Sequence, residues 1–120
     1  MTMIEQIRKA RRVSVTSHGK RFTVRRPTDL EMMDMTRSGD INQGSILARF
    51  VIGWEGFTEL DLAPGGTGAE VAFDPAIFVE WIADQPSHWN PLTEAIFAAY
   101  KAHKDAQEAT GKNLLPGSTA

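Results

Sequence analysis

Glycine clusters, three histidines and a good supply of carboxylates are the residues in this sequence with most scope for chemistry. A phosphate-cradling loop needs a strand, a glycine turn and then Gly-Lys-Ser/Thr opening a helix. Gly65-Gly66-Thr67-Gly68 instead runs into Ala69-Glu70-Val71, and Gly111-Lys112 runs into Asn113. Both read as flexible punctuation. His18, His88 and His103 fall on an expected turn, loop and helix without paired ligand spacing, so no metal site is expected. No serine sits in a Gly-x-Ser-x-Gly elbow. The chain has no cysteine, which excludes thiol catalysis, disulfides and thiolate metal centres. These absences point away from an enzyme, and no cofactor is expected.

At 120 residues, with 42% hydrophobic and 23% charged residues, the chain suits one domain with one modest apolar core. No stretch approaches the roughly 18 apolar residues of a membrane span, so no membrane partner is expected. The net charge of −2 hides an asymmetry. Up to Arg26, eight basic residues (Arg8, Lys9, Arg11, Arg12, Lys20, Arg21, Arg25, Arg26) face only Glu5, a local charge of +7, which leaves −9 on the remainder. Such a strip is either a solvated face or a surface for an anionic partner. Met1 to Arg12 is too polar for a secretory signal and runs straight into a strand pattern, so it reads as part of the fold of a cytoplasmic protein.

Positioning these residues falls first to a hairpin. Val13, Val15, Phe22 and Val24 alternate with polar residues around a His18-Gly19 turn. Pairing Ser17 with Lys20 sets Val15 opposite Phe22 and Val13 opposite Val24, with all four on one face. Pro27 ends the second strand. Thr28-Asp29-Leu30-Glu31 is a capping box for a short helix that carries Leu30 and Met33 inward and stops at Ser38-Gly39. Met32, Met33 and Met35 serve either as core or as an adaptable binding surface. Asp40 to Gln43 repeats the cap logic for a helix burying Ile46, Leu47, Phe50 and Val51 and ending near Gly53-Trp54-Glu55-Gly56.

Thr58 to Ala72 is glycine-rich and reads as a long loop or an irregular hairpin, the most mobile internal segment. Asp74-Pro75 opens a helix with Ile77, Phe78, Trp81 and Ile82 inward, a Phe73–Phe78 staple, and an end at Gln85-Pro86. Asn90-Pro91 opens the longest helix, with Leu92, Ile96, Ala99, Tyr100 and His103 on one face and an end near Thr110-Gly111. The expected architecture is α+β: an N-terminal hairpin, widened by a third strand from the Leu60 or Val71 segment, against about four helices. Residues 1–111 form one domain and 112–120 a flexible tail.

Two ordered stretches carry a family resemblance. Phe22-Thr23-Val24-Arg25-Arg26-Pro27-Thr28-Asp29-Leu30-Glu31 and Val51-Ile52-Gly53-Trp54-Glu55-Gly56-Phe57 resemble stations of the tail assembly chaperones of long-tailed bacteriophages and prophages. Val71-Ala72-Phe73-Asp74, the two proline-opened helices and the C-terminal Ala-Tyr-Lys region are similar as well. The Thr58–Ala69 loop departs from that pattern in being longer and richer in glycine. The resemblance implies a non-enzymatic protein of the host cytoplasm, absent from the mature virion. It would bind the tape measure protein, keep it soluble and help recruit tail tube subunits, with homo-oligomers allowed. In several relatives a ribosomal slip near the gene's end makes a longer product, with which Gly111-Lys112 is compatible.

Candidate partner-binding residues are Trp54, Glu55, Phe57, Met32, Met35, Arg25 and Arg26. Trp54 either covers the core above a tight glycine turn or anchors a partner. The alternative function is a small nucleic-acid-binding module using the basic N-terminal hairpin region. Against it, Phe22 belongs to the core face and the acidic remainder repels phosphate.

Overall fold

The computed structural model describes residues 1–114. In chain order the elements are α1 (Met3–Lys9), β1 (Arg12–Ser17), β2 (Lys20–Arg25), α2 (Asp29–Ser38), α3 (Gln43–Phe50), β3 (Val51–Glu55), α4 (Glu59–Leu62), α5 (Pro75–Ile82) and α6 (Pro86–Leu114). Among the described residues the fold is α+β, a three-stranded antiparallel sheet of order β1-β2-β3 packed with six helices. The hairpin has the expected register, Val13 with Val24, Val15 with Phe22 and Ser17 with Lys20. Its turn has positive φ at both His18 and Gly19, as the twist of a tight hairpin requires.

The third strand comes from neither the Leu60 nor the Val71 segment. It is Val51–Glu55, which pairs with β2 directly after α3 ends at Phe50. The β-branched pair Val51-Ile52 favours extended backbone, and a register shift at Thr23/Val24 marks an irregularity where the ladder passes Ile52. Leu60 lies in α4, and Val71 lies outside the strands, where its N–H bonds the Phe57 carbonyl at 2.8 Å.

The Thr58–Ala72 stretch holds that one-turn helix and its own fastenings. Thr58 and Asp61 form a capping box, Thr58 bridges Glu70, and Glu59 accepts from Thr67 Oγ1 at 2.6 Å. A Cβ on Gly66 would meet the Glu59 backbone carbonyl at 2.5 Å, so the close return of this loop depends on glycine there.

Helix starts depend on which oxygen reaches a free N–H. Thr28 caps α2 in the expected box with Glu31, and Asp74 caps α5. For α3 the cap is Asn42, whose Oδ1 accepts from Ser45 N at 2.8 Å, while Asp40 only accepts from the Asn42 amide. On α2, Leu30 and Met33 are exposed (64% and 42%), and Met35 with Met32 faces the core instead. The Glu31–Arg25 pair sets this rotation, because Met35 lies one turn beyond Glu31 on the same face.

The long helix starts five residues earlier than expected. Pro86 opens α6 and Pro91 lies inside it; α5 has already ended at Ile82. Pro91 has no N–H for the Ser87 carbonyl, so that oxygen is free. His18 Nε2, at the hairpin tip, donates to it at 2.9 Å. The same helix runs through Leu114, past the expected end at Thr110-Gly111 and into the expected tail; residues 115–120 of that tail lie outside the described residues.

The core gathers on one face of the sheet. Phe22, wholly buried, has the rings of Phe57, Phe78, Trp81 and His88 around it at centroid distances of 5.5 to 6.4 Å. Leu92 and Ile96 of α6 and Ile46, Leu47 and Phe50 of α3 close it. Phe73 meets Phe78 at 5.8 Å, as the staple requires. Val13 shares the face but sits at its margin and is 41% exposed.

Two stability measurements check this account. In urea unfolding, Phe22→Ala should cost about 3–5 kcal/mol and Val13→Ala well under about 1 kcal/mol; similar costs at both sites would contradict the core described. In a double-mutant cycle, His18→Asn keeps a residue tolerant of positive φ yet frees the Ser87 oxygen, costing about 1 kcal/mol. That cost should shrink in a Pro91→Ala background, where the backbone N–H restored at position 91 replaces the donor; equal costs in both backgrounds would show that the bond contributes nothing.

Candidate functional site

Because β-strand side chains alternate, a sheet whose one face carries Phe22 and Val24 must send Arg12, Thr23 and Arg25 to the other. Arg12 and Arg25 are cross-strand partners, and Thr23 faces Gly53 of β3. Helix α1 and the turn after it add Arg8 and Arg11 along one side, and Thr28 and Glu31 of the α2 cap close another. The result is an open groove of about 650 Å³. Gly53 keeps its floor low: a Cβ there would sit 3.3 Å from the Thr23 Cβ.

Charge in the groove is one-sided. Glu31 is the only carboxylate among its described lining residues, and it is already engaged. Arg25 donates to both its oxygens at 2.7 and 2.9 Å, Thr28 N donates at 2.9 Å, and Arg49 pairs with it at 2.9 Å. The Arg25 hydrogen bond, helped by the backbone N–H, holds the Glu31 carboxyl down to about 2 against its burial. The Arg25 guanidinium also lies 4.7 Å from the Phe50 ring centroid, which fixes its plane. Arg8, Arg11 and Arg12 have no carboxylate within ion-pair distance among the described residues. Such a groove can hold carboxylates or phosphates by forked hydrogen bonds.

The residues singled out from the sequence do not form one site. Trp54 is 8% exposed, stacks on Phe57 at 4.4 Å and donates from Nε1 to the Val71 carbonyl at 2.9 Å. Phe57 is fully buried, with Lys20 Nζ 5.0 Å from its ring centroid. Glu55 is exposed and lies 3.6 Å from Arg21. Gly56, at φ 73, takes the left-handed conformation that ends the strand. The Gly-Trp-Glu-Gly segment is therefore a strand end and turn whose aromatics belong to the core. Met35 is buried, while Met32 packs against the core and borders a shallow cavity with Asp29 and Tyr100. Of the two arginines, Arg25 lies in the groove; Arg26 is half-buried, donates to the Pro27 carbonyl and faces a different hollow beside α6.

Two features escaped sequence reasoning. One is a Ser–His pair: Ser17 Oγ and His88 Nδ1 share a hydrogen bond of 2.7 Å. The residues are 2% and 5% exposed, so each satisfies the other in the core and the Ser17 hydroxyl does not face solvent. Burial, with His18 and Lys20 nearby, lowers the His88 pKa and favours the neutral ring. No local motif signals this contact between residues 71 apart. The other is a largely apolar groove of about 330 Å³ between α3, α5 and the start of α6, walled by Leu47, Ala48, Val79, Ile82 and Trp89.

No helix among the described residues is long and apolar enough to cross a membrane. No protein family, curated protein or solved structure matches this chain.

Acid unfolding tests the groove's electrostatics. The folded-state pKa of Glu31 is depressed, so its contribution is full above the unfolded value near 4.5 and is lost as pH falls toward 2. Glu31→Gln should be less stable than the parent at neutral pH and should show a flatter loss between those limits. Asp29, held near 2 by Gln107 and Tyr100, contributes to the slope that remains, as do Glu59 and Asp61, which Thr67 and Lys20 respectively hold below their usual range. An unchanged slope in Glu31→Gln would contradict the depressed pKa.

Proposed function

We propose that the chain is a tail assembly chaperone of a long-tailed phage or prophage. It works in the host cytoplasm, holds the tape measure protein soluble, helps recruit tail tube subunits and leaves before the particle is complete. The ordered motifs described above suggest the family. The observation that carries the binding role is the apolar helix surface left uncovered.

In α1, Met3, Ile4 and Ile7 are all exposed, and the helix has no buried residue. On α5, Ile77 and Val79 are 40% and 41% exposed, with Val79 at the mouth of the apolar groove. Surface of this kind on a small chain favours a partner that itself has unpaired apolar stripes. A long helical client offers many such stripes, and many copies binding weakly could cover it. Exposed Met3 and Met33 suit a client whose segments are not identical, since thioethers repack easily.

The arginine groove is the observation on the side of the second reading, nucleic-acid binding. Among the described residues that line it there is no aromatic side chain, so bases would have nothing to stack on.

Coexpression with the tape measure protein encoded downstream is the direct test: its solubility should rise and the two should copurify. Failure of both, together with micromolar or tighter oligonucleotide binding that falls steeply with salt, would overturn the chaperone reading in favour of the second.

A further inference from the structure

We propose that the arginine groove and the exposed apolar side of α1 form one docking surface for an acidic amphipathic polypeptide segment. The inference rests on the chaperone reading only in taking the partner to be a polypeptide.

Helical spacing joins the two halves. Arg8 lines the groove, and Ile4 lies one turn before it on the same side of α1, 61% exposed. A bound segment therefore meets guanidiniums and, one turn further along, apolar surface. Glu31 already shows how a carboxylate is held here, by both Nη atoms of Arg25 and by Arg49. Arg8, Arg11 and Arg12 can offer the same forks to a partner's carboxylates.

Other anionic partners fit only half of this surface. A bilayer is flat and meets α1 without entering a concave groove. Nucleic-acid phosphates satisfy the arginines but leave Met3, Ile4 and Ile7 uncovered. Helix α1 itself supports docking, because seven residues with no buried side chain are marginal as a helix in water, and no element among the described residues covers its apolar side.

The probe is a fluorescein-labelled peptide of Glu-Glu-Leu-Leu repeats, titrated against the full chain by anisotropy. Controls are a Lys-Lys-Leu-Leu peptide, oligothymidylate, and phosphatidylcholine vesicles containing phosphatidylglycerol. The acidic peptide should bind tightest, weaken with salt and slow amide exchange in Thr2–Arg12. The double variant Arg8→Ala, Arg12→Ala should bind it about tenfold less well, and Ile4→Ser should also weaken it. All these side chains are exposed, and circular dichroism confirms folding of each variant. Equal binding of the lysine peptide, tighter binding of oligothymidylate or vesicles, or no loss in the arginine variant overturns the proposal. Copurification separates the two readings. If the arginine variant still holds the tape measure protein as the parent does, the groove assignment fails and the chaperone reading stands. If the parent binds the acidic peptide but no tape measure protein, the reverse holds.

Discussion

Everything in this fold turns on the burial of one ring, Phe22, in the middle of the central strand. Phe57 reaches it from the turn after β3, Phe78 and Trp81 from α5, and His88 from α6. Elements far apart in sequence thus share one contact surface, and aromatic edges and faces at 5 to 7 Å add directional attraction to area burial. Even the polar members are served inside the cluster: Ser17 satisfies His88, and the Val71 carbonyl satisfies Trp54. Trp81 is the exception, its Nε1 being buried without a partner among the described residues.

Committing that face to aromatics decides what the other face can do. Strand alternation leaves it Arg12, Thr23 and Arg25, and a glycine on β3 keeps it open. The capping box of α2 then acts twice. Glu31 stabilises the helix start through the Thr28 N–H and also anchors Arg25. One carboxylate so engaged balances little of the charge from α1 and its following turn. The basic N-terminal strip is therefore concentrated where the core is absent, with Glu31 the only carboxylate among the described residues that line it.

Local signals were legible wherever the residues involved are close in sequence. The hairpin register, the Thr28 box and the Asp74-Pro75 start each depend on a few neighbouring residues, and all are present. Distant partners override such signals elsewhere. Asn90-Pro91 has the look of a helix start, yet the Ser87 carbonyl finds its donor on a turn 69 residues away and the helix begins earlier. β3 was hidden because Val51 continues the apolar stripe of α3, so the switch from helix to strand has no polar punctuation. Helix α1 buries nothing and so leaves no periodic core signature to find. For the candidate site, Arg25 was recognised from sequence, but its companions Arg8, Arg11 and Arg12 were visible only as charge, since their convergence depends on where α1 lies against the sheet.

The proline inside α6 has one more consequence. Packing already sets the rotation of this helix coarsely, because Leu92 and Ile96 must stay inside. Here a single orphan oxygen points at one imidazole. A slip of one residue would carry that oxygen about 100° around the axis and about 1.5 Å along it, out of reach of His18. A missing hydrogen bond thus works as a registration pin, adding a directional contact to the packing that already aligns helix and hairpin.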